Sequence, residues 1–112
     1  MFKSLLLQYD WYDLLKPYLE ASGVTKVGVV GNCWGSYFVE HVSAADSFVR
    51  AGFSTHPSHP GAMDGFGESE EAIYGQVRDN GAAQYFGNTP QEGDTTRPGG
   101  LADQTLDVVS SN

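Results

Sequence analysis

The 112-residue sequence has little cysteine, few basic residues and no long apolar run. Its one cysteine, Cys33, has no partner for an internal disulfide, so we expect a reducing compartment such as the cytoplasm. Six Lys and Arg against fourteen Asp and Glu give a net charge of -8, which argues against nucleic-acid partners. No segment approaches the roughly 18 consecutive apolar residues of a membrane span, and residues 1–7 lack the cleavage site of a secretory leader.

The apolar residues follow helical and strand periodicities in alternation. A helix–strand order of this kind predicts an α/β fold with a short, mostly parallel sheet flanked by helices, because parallel neighbours need crossover connections. We expect one domain over residues 1–112, with a core at about 9–88 and a loop-rich tail at 88–112. Residues 101–112 of this tail are expected to form either one short amphipathic helix or a frayed end. Helices are predicted at 9–22, 36–45 and 68–79, strands at 24–30, 48–54 and 82–86, and a glycine-rich loop at 61–67.

Cys33 lies between two glycines, in Gly31-Asn32-Cys33-Trp34-Gly35, directly after an apolar run. This spacing favours a sharp strand-to-helix turn that holds Cys33 at the sheet's carboxyl edge as a nucleophile, with the glycines preventing clashes where backbones approach. The backbone N–H of Trp34 would then be half of an oxyanion hole. The alternative role for Cys33 is that of a small core residue.

The segments GNCWGS (31–36) and AGFSTHPS (51–58) resemble the dienelactone hydrolase family of α/β-hydrolases, whose nucleophile segment reads Gly-x-Cys-Trp/Phe-Gly-Gly. The stretch GNTPQEGDTTRPGG (87–100) is similar to the family loop that holds an Asn-Asp pair and a Lys-Pro-Gly-Gly run. The resemblance covers about 23–100. It implies a partial α/β-hydrolase fold and a cysteine hydrolase acting on an ester or lactone through Cys33, with no metal or other cofactor.

The sequence departs from the family pattern at the other catalytic positions. Ser36 replaces the second glycine, Thr89 stands where the family's acid is expected, and Asp94 is the nearest acidic candidate. The family's triad histidine lies near its C-terminus, whereas this sequence has no histidine after His59. His56 is the candidate substitute base, because a neighbouring strand delivers its carboxyl end to the same sheet edge. The chain thus resembles the middle of a longer hydrolase.

Two other histidine arrangements are less favourable. His41 lies eight residues beyond Cys33 on the following helix, about 12 Å along its axis, and is out of reach of the sulfur. His56 and His59 make a poor metal pair without a third ligand nearby.

Three functions remain open at this point. The first is a cysteine hydrolase acting on a small-molecule ester or lactone. The second is a catalytically inactive, truncated domain that serves as a binding or structural subunit, with a protein partner that covers its exposed sheet edges. The third is a redox-sensitive thiol, against which the absence of a second cysteine argues.

Overall fold

The computed structural model describes residues 6–87, 95–96, 99–106 and 108–111. It has an α/β fold with a short parallel sheet flanked by helices, as predicted. Among the described residues, no helix is both long enough and apolar enough to cross a bilayer. The elements are a π-helix Leu6–Leu15, α1 Lys16–Ala21, β1 Val27–Asn32, α2 Gly35–Ala45, β2 Val49–Thr55, α3 His59–Gly65, α4 Glu70–Asn80, β3 Ala83–Gly87, α5 Leu101–Thr105 and β4 Val108–Ser111.

The four strands lie in the order in which they occur along the chain, and every neighbouring pair is parallel. Helix α2 connects β1 to β2, and α3 and α4 connect β2 to β3, as parallel pairing requires. The register places Asn32 beside Thr55 and Thr55 beside Gly87. The carboxyl ends of β1, β2 and β3 therefore meet at one edge of the sheet.

The helices that pack on the sheet cover one of its two faces. Helix α2 contacts β1 and β2 and packs against α3 and α4. The π-helix joins the same layer through Trp11, whose ring is buried with Val42 and Val49. The indole N–H of Trp11 donates to Asp46 Oδ2 at 2.7 Å, and Lys16 Nζ lies 2.9 Å from the same oxygen. These buried contacts attach the first helical segment to the helix-covered side of the sheet.

Two segments differ from the sequence-based prediction. Helix α3 occupies most of the expected glycine-rich loop; Pro60 fits its first turn, where a backbone N–H has no helical partner. The expected tail contributes α5 and β4, and Ala102 and Leu106 are buried in the main core. The short helix α5 agrees with one of the two alternatives for residues 101–112. Sparse apolar residues gave no local signal for α3 and β4, which are stabilised by contacts with distant parts of the chain.

The carboxyl group of Glu40 lies inside the core, on the inner side of α2. Its side chain is fully buried, and neither oxygen has a hydrogen-bond partner among the described residues. Burial, and to a smaller extent the charge of Glu70, raises the pKa of Glu40 to about 8. Glu40 is therefore mostly protonated at neutral pH, because the uncharged form is the one that the core tolerates.

We expect the substitution Glu40→Gln to stabilise the protein at pH 7 and to remove part of its pH dependence. Between the ordinary glutamate pKa of 4.5 and about 8, folded Glu40 keeps a proton that the unfolded chain releases, so the free energy of unfolding falls as pH rises. Glutamine does not titrate, so the variant keeps this stability, and we expect its free energy of unfolding at pH 7 to exceed that of the wild type by about 1–3 kcal/mol. Urea unfolding at pH 5, 7 and 9 measures the difference. The exposed Glu71→Gln is the control, and an unchanged pH slope in Glu40→Gln would contradict the assignment.

Candidate functional site

Cys33 occupies the turn between β1 and α2 with a positive φ of 52°, and it is exposed. Its backbone N–H donates to the carbonyl of Thr55 at 2.8 Å, which extends the β1–β2 pairing by one residue. A Cβ added to Gly31 would lie 2.5 Å from the carbonyl oxygen of Gly35 and 2.7 Å from Val39 Cγ2. Gly31 therefore has to be glycine for the first turn of α2 to lie this close to β1.

Gly35 has a different role from Gly31. A Cβ added to Gly35 would meet nothing within 4 Å, because its carbonyl group, rather than its Cα, faces Gly31. The expectation that a side chain would clash at both glycines therefore applies to Gly31 alone.

Ser36, the residue in place of the family's second glycine, joins the Cys33 turn to the segment after β2. Its hydroxyl donates to the Cys33 carbonyl at 2.7 Å and accepts the backbone N–H groups of Ser58 and His59 at 3.1 and 3.0 Å. The Ser58 N–H also lies 3.3 Å from the Cys33 carbonyl. Because Ser36 is fully buried, these bonds hold residues 58–59 against the turn without competition from water.

The Cys33 thiol has a hydroxyl group as its neighbour. Cys33 Sγ lies 3.9 Å from Ser58 Oγ, within the range of a weak sulfur hydrogen bond. Sequence reasoning did not single out Ser58, although the prolines on both sides of 58–59 and the position after the neighbouring strand were available signals. Ser58 is therefore a further candidate site residue.

His56 lies directly after β2 at the same sheet edge, and its ring is exposed. The backbone N–H of His56 donates to the Gly87 carbonyl at 2.9 Å. This bond joins the end of β2 to β3 in the same way as the Cys33 N–H joins the end of β1 to β2. Within the described parts of the chain, the His56 imidazole makes no hydrogen bond to the Cys33 thiol. The expected acid Asp94, like Thr89, lies outside the described residues.

Cys33 and His56 share an uncommon backbone conformation. They are the two non-glycine residues with positive φ in the described chain, at 52° and 47°. Such left-handed residues cost on the order of 1–3 kcal/mol each and cluster at functional sites, where surrounding structure enforces them. Here they follow adjacent strands, so the strain is concentrated at one edge of the sheet.

His59 faces the core and not the thiol. Its ring is buried, with Nε2 2.8 Å from the hydroxyl of Tyr74, which in turn donates to Glu70 Oε1 at 2.6 Å. Because the single phenolic proton goes to Glu70, His59 Nε2–H is the donor to Tyr74. Burial, together with the charge of His41, lowers the pKa of His59 to about 3. His59 is therefore a neutral structural histidine at ordinary pH.

Aromatic rings surround the start of α2 beside Cys33. Trp34 stacks on Tyr37 at a centroid distance of 5.0 Å and an interplanar angle of 9°, and Phe66 lies 6.5 Å from Trp34. Trp34 and Phe66 remain about half exposed. The Cys33 turn is therefore bordered by an apolar surface that a planar or aliphatic group can contact.

Below this aromatic surface, the Tyr37 hydroxyl donates to Glu68 Oε2 at 3.0 Å, and His41 Nε2 lies 3.1 Å from the other oxygen of Glu68. Burial, followed by the Glu68 contact, raises the pKa of Tyr37. His41 is thus placed in a contact with Glu68, in keeping with its exclusion as the base for Cys33.

The described residues contain no group of three or more His, Cys, Asp or Glu side chains arranged to hold a metal ion. Comparisons with protein-family models, curated proteins and solved structures find no match for this chain. A functional assignment therefore depends on the geometry and chemistry of the Cys33 turn.

We expect Gly31→Ala to destabilise the protein and Gly35→Ala to be tolerated. The first substitution forces a methyl group against the Gly35 backbone and Val39, with an expected loss of about 1–3 kcal/mol in the free energy of unfolding. The second places alanine in open space on a helix, where it is neutral or stabilising by up to about 1 kcal/mol. Urea unfolding of the two variants measures both effects. Equal effects would contradict the close contact at Gly31.

Proposed function

We propose that the chain is a cysteine hydrolase similar to the dienelactone hydrolases, in which Cys33 attacks the carbonyl carbon of an ester or lactone. The observation that supports this most strongly is the exposed thiol on a positive-φ residue at the turn between β1 and α2. Strain of this kind at the carboxyl edge of a parallel sheet is a feature of nucleophile elbows. The packing of Gly31 against the Gly35 carbonyl enforces this conformation.

The proposed reaction needs no oxidant, reductant or cofactor. The sulfur forms a bond to the carbonyl carbon, and collapse of the tetrahedral intermediate breaks the carbon–oxygen bond of the ester. The thiol proton is transferred to the departing alkoxide, which in a lactone stays attached to the acyl group. Water then attacks the thioester, releases the acid and restores the thiol.

In this proposal the backbone N–H of Trp34 stabilises the oxyanion, because it belongs to the residue after the nucleophile at the start of α2. The second step needs a base that activates water. His56 is the candidate, and Asp94 the candidate acid. Since the neighbour of the thiol in the described chain is the Ser58 hydroxyl, we expect acylation to outpace hydrolysis of the thioester.

A second candidate function is a binding subunit without turnover. The observation that favours it is an apolar sheet face that the described helices leave uncovered, with Val30 of the edge strand β1 78% exposed. The two functions differ in what happens to an acyl donor at Cys33.

We expect purified protein incubated with p-nitrophenyl acetate to gain one acetyl group at Cys33, seen by intact-mass spectrometry and reversed by hydroxylamine as a thioester is. The aromatic ester is a suitable probe because Trp34 and Phe66 offer an apolar surface beside the thiol. Cys33→Ala, with folding checked by circular dichroism, controls for acylation of lysines and the amino terminus. The adduct should form faster than it decays.

The further outcomes separate the candidate functions. If the adduct decays in the wild-type protein but persists in His56→Ala, and this variant is still acylated, the result would support His56 as the base. No Cys33-dependent adduct on a folded chain would refute the hydrolase proposal and favour the binding subunit.

A further inference from the structure

The sequence contains one Asn-Gly pair, Asn80–Gly81, at the C-terminal end of α4. Such a pair is chemically labile in an unfolded chain, because glycine has no side chain to hinder attack by its backbone nitrogen on the asparagine side chain. Asn32 and Asn88 precede cysteine and threonine, whose side chains hinder the same attack. Asn80 is therefore the asparagine whose side chain is most exposed to this reaction by its sequence.

In the folded protein, the side-chain amide of Asn80 joins α4 to the end of α2. Its Nδ2 donates to the Ser43 carbonyl at 2.7 Å and to the Asp46 carbonyl at 2.9 Å. Ser43 lies in the last turn of α2, where backbone carbonyls have no helical partner, and Asp46 caps that helix. Both N–H groups of the amide are thus used on carbonyl groups that nothing else in the helix satisfies.

The backbone of the pair is held as firmly as the side chain. The Gly81 N–H donates to the Arg78 carbonyl at 2.9 Å, and Gly81 has a φ of 77°. The guanidinium group of Arg50 donates to the carbonyls of Asn80 and Gly81 at 2.9 and 3.1 Å. Attack on the side chain requires the Gly81 nitrogen to lose its bonded proton and to approach the amide carbon of Asn80. The bonds to Arg78, Ser43 and Asp46 therefore have to break before the pair can react.

We propose that Asn80–Gly81 is a deamidation site that the fold protects and that transient unfolding makes reactive. The Gly81 nitrogen forms a bond to the side-chain carbonyl carbon of Asn80, the bond from that carbon to Nδ2 breaks, and ammonia leaves with the proton from the Gly81 nitrogen. Water then opens the cyclic imide and gives aspartate or isoaspartate. The reaction needs no oxidant, reductant or cofactor, and it does not involve Cys33.

The product of deamidation cannot replace the amide at the end of α2. A carboxylate has no N–H, so it directs oxygens at the carbonyl oxygens of Ser43 and Asp46, which had accepted hydrogen bonds. The new negative charge also lies at the C-terminal ends of α2 and α4, where the helix dipoles disfavour it. Arg50, the neighbouring cation, is already bonded to two backbone carbonyls. Deamidation therefore converts a transient unfolding event into a lasting loss of stability.

The first test compares rates of deamidation in the whole chain at mildly alkaline pH, folded in sodium chloride or unfolded in an equal concentration of guanidinium chloride. Intact-mass spectrometry follows the gain of about 1 Da, and peptide mapping locates it. We expect Asn80 to react at least about tenfold faster in the unfolded chain, because the folded chain reacts only through its open fraction. In denaturant, Gly81→Ala should slow the reaction severalfold. That comparison is made in the unfolded chain because the φ of 77° disfavours alanine in the fold.

The second test measures the consequence for stability by urea unfolding of Asn80→Asp. We expect its equilibrium constant for unfolding to rise by about tenfold or more, because two partly buried carbonyls lose their donor. Asn32→Asp is the matched control. Asn32 Oδ1 accepts the Thr55 hydroxyl at 2.8 Å, and a carboxylate keeps that bond, so this variant should be nearly as stable as the wild type.

Equal rates at Asn80 in the folded and unfolded chains would overturn the protection by the fold. Faster reaction at Asn32 or Asn88 than at Asn80 in the unfolded chain, or an unchanged rate in Gly81→Ala, would overturn the assignment of the site. Unchanged stability in Asn80→Asp, or an equal loss in Asn32→Asp, would overturn the role of the amide at the end of α2. The rate comparison uses the wild-type sequence, so it remains decisive even if Asn80→Asp does not fold.

Discussion

The close approach of Gly31 to the carbonyl group of Gly35 is the constraint on which the rest of the structure depends. It allows α2 to begin immediately after β1 and to lie flat against β1 and β2. The chain reverses so tightly that Cys33, between the two elements, takes a left-handed backbone conformation and is exposed. The absence of a side chain at Gly31 thus determines both the helix–sheet packing and the position of the thiol.

Uncharged polar groups in the core stabilise the sheet edge that carries Cys33 and His56. The Ser36 hydroxyl uses its one proton and two acceptor positions on three backbone groups, so the Cys33 turn and residues 58–59 form one unit. Deeper in the core, His59 is neutral, and Glu40 is mostly protonated at neutral pH, because burial disfavours their charged forms. The protein therefore tolerates polar residues beneath α2 by keeping them uncharged or fully hydrogen-bonded.

The sheet itself is unevenly covered. All of the helices shown to contact the sheet or its covering layer lie on one side, and Val30, Phe53 and Tyr85 are exposed side by side on the other. The hydrophobic runs of the strands are typical of a sheet that is buried on both faces. The same strands therefore place an exposed thiol at one edge of the sheet and an apolar surface on one face, so that these two features lie on different parts of one small fold.

The sequence by itself determined the features that depend on local interactions. Glycine spacing and apolar periodicity predicted the strand, turn and helix around Cys33, and the order of elements predicted a parallel sheet. Only the tertiary structure decided that Ser58 neighbours the thiol, that His59 faces Tyr74, that His56 is not bonded to Cys33, and that β4 extends the sheet. These depend on register and packing between residues far apart in the chain, which local patterns do not encode. The uncovered face has the same origin, since a strand's sequence shows that it is apolar but not which side a helix will cover.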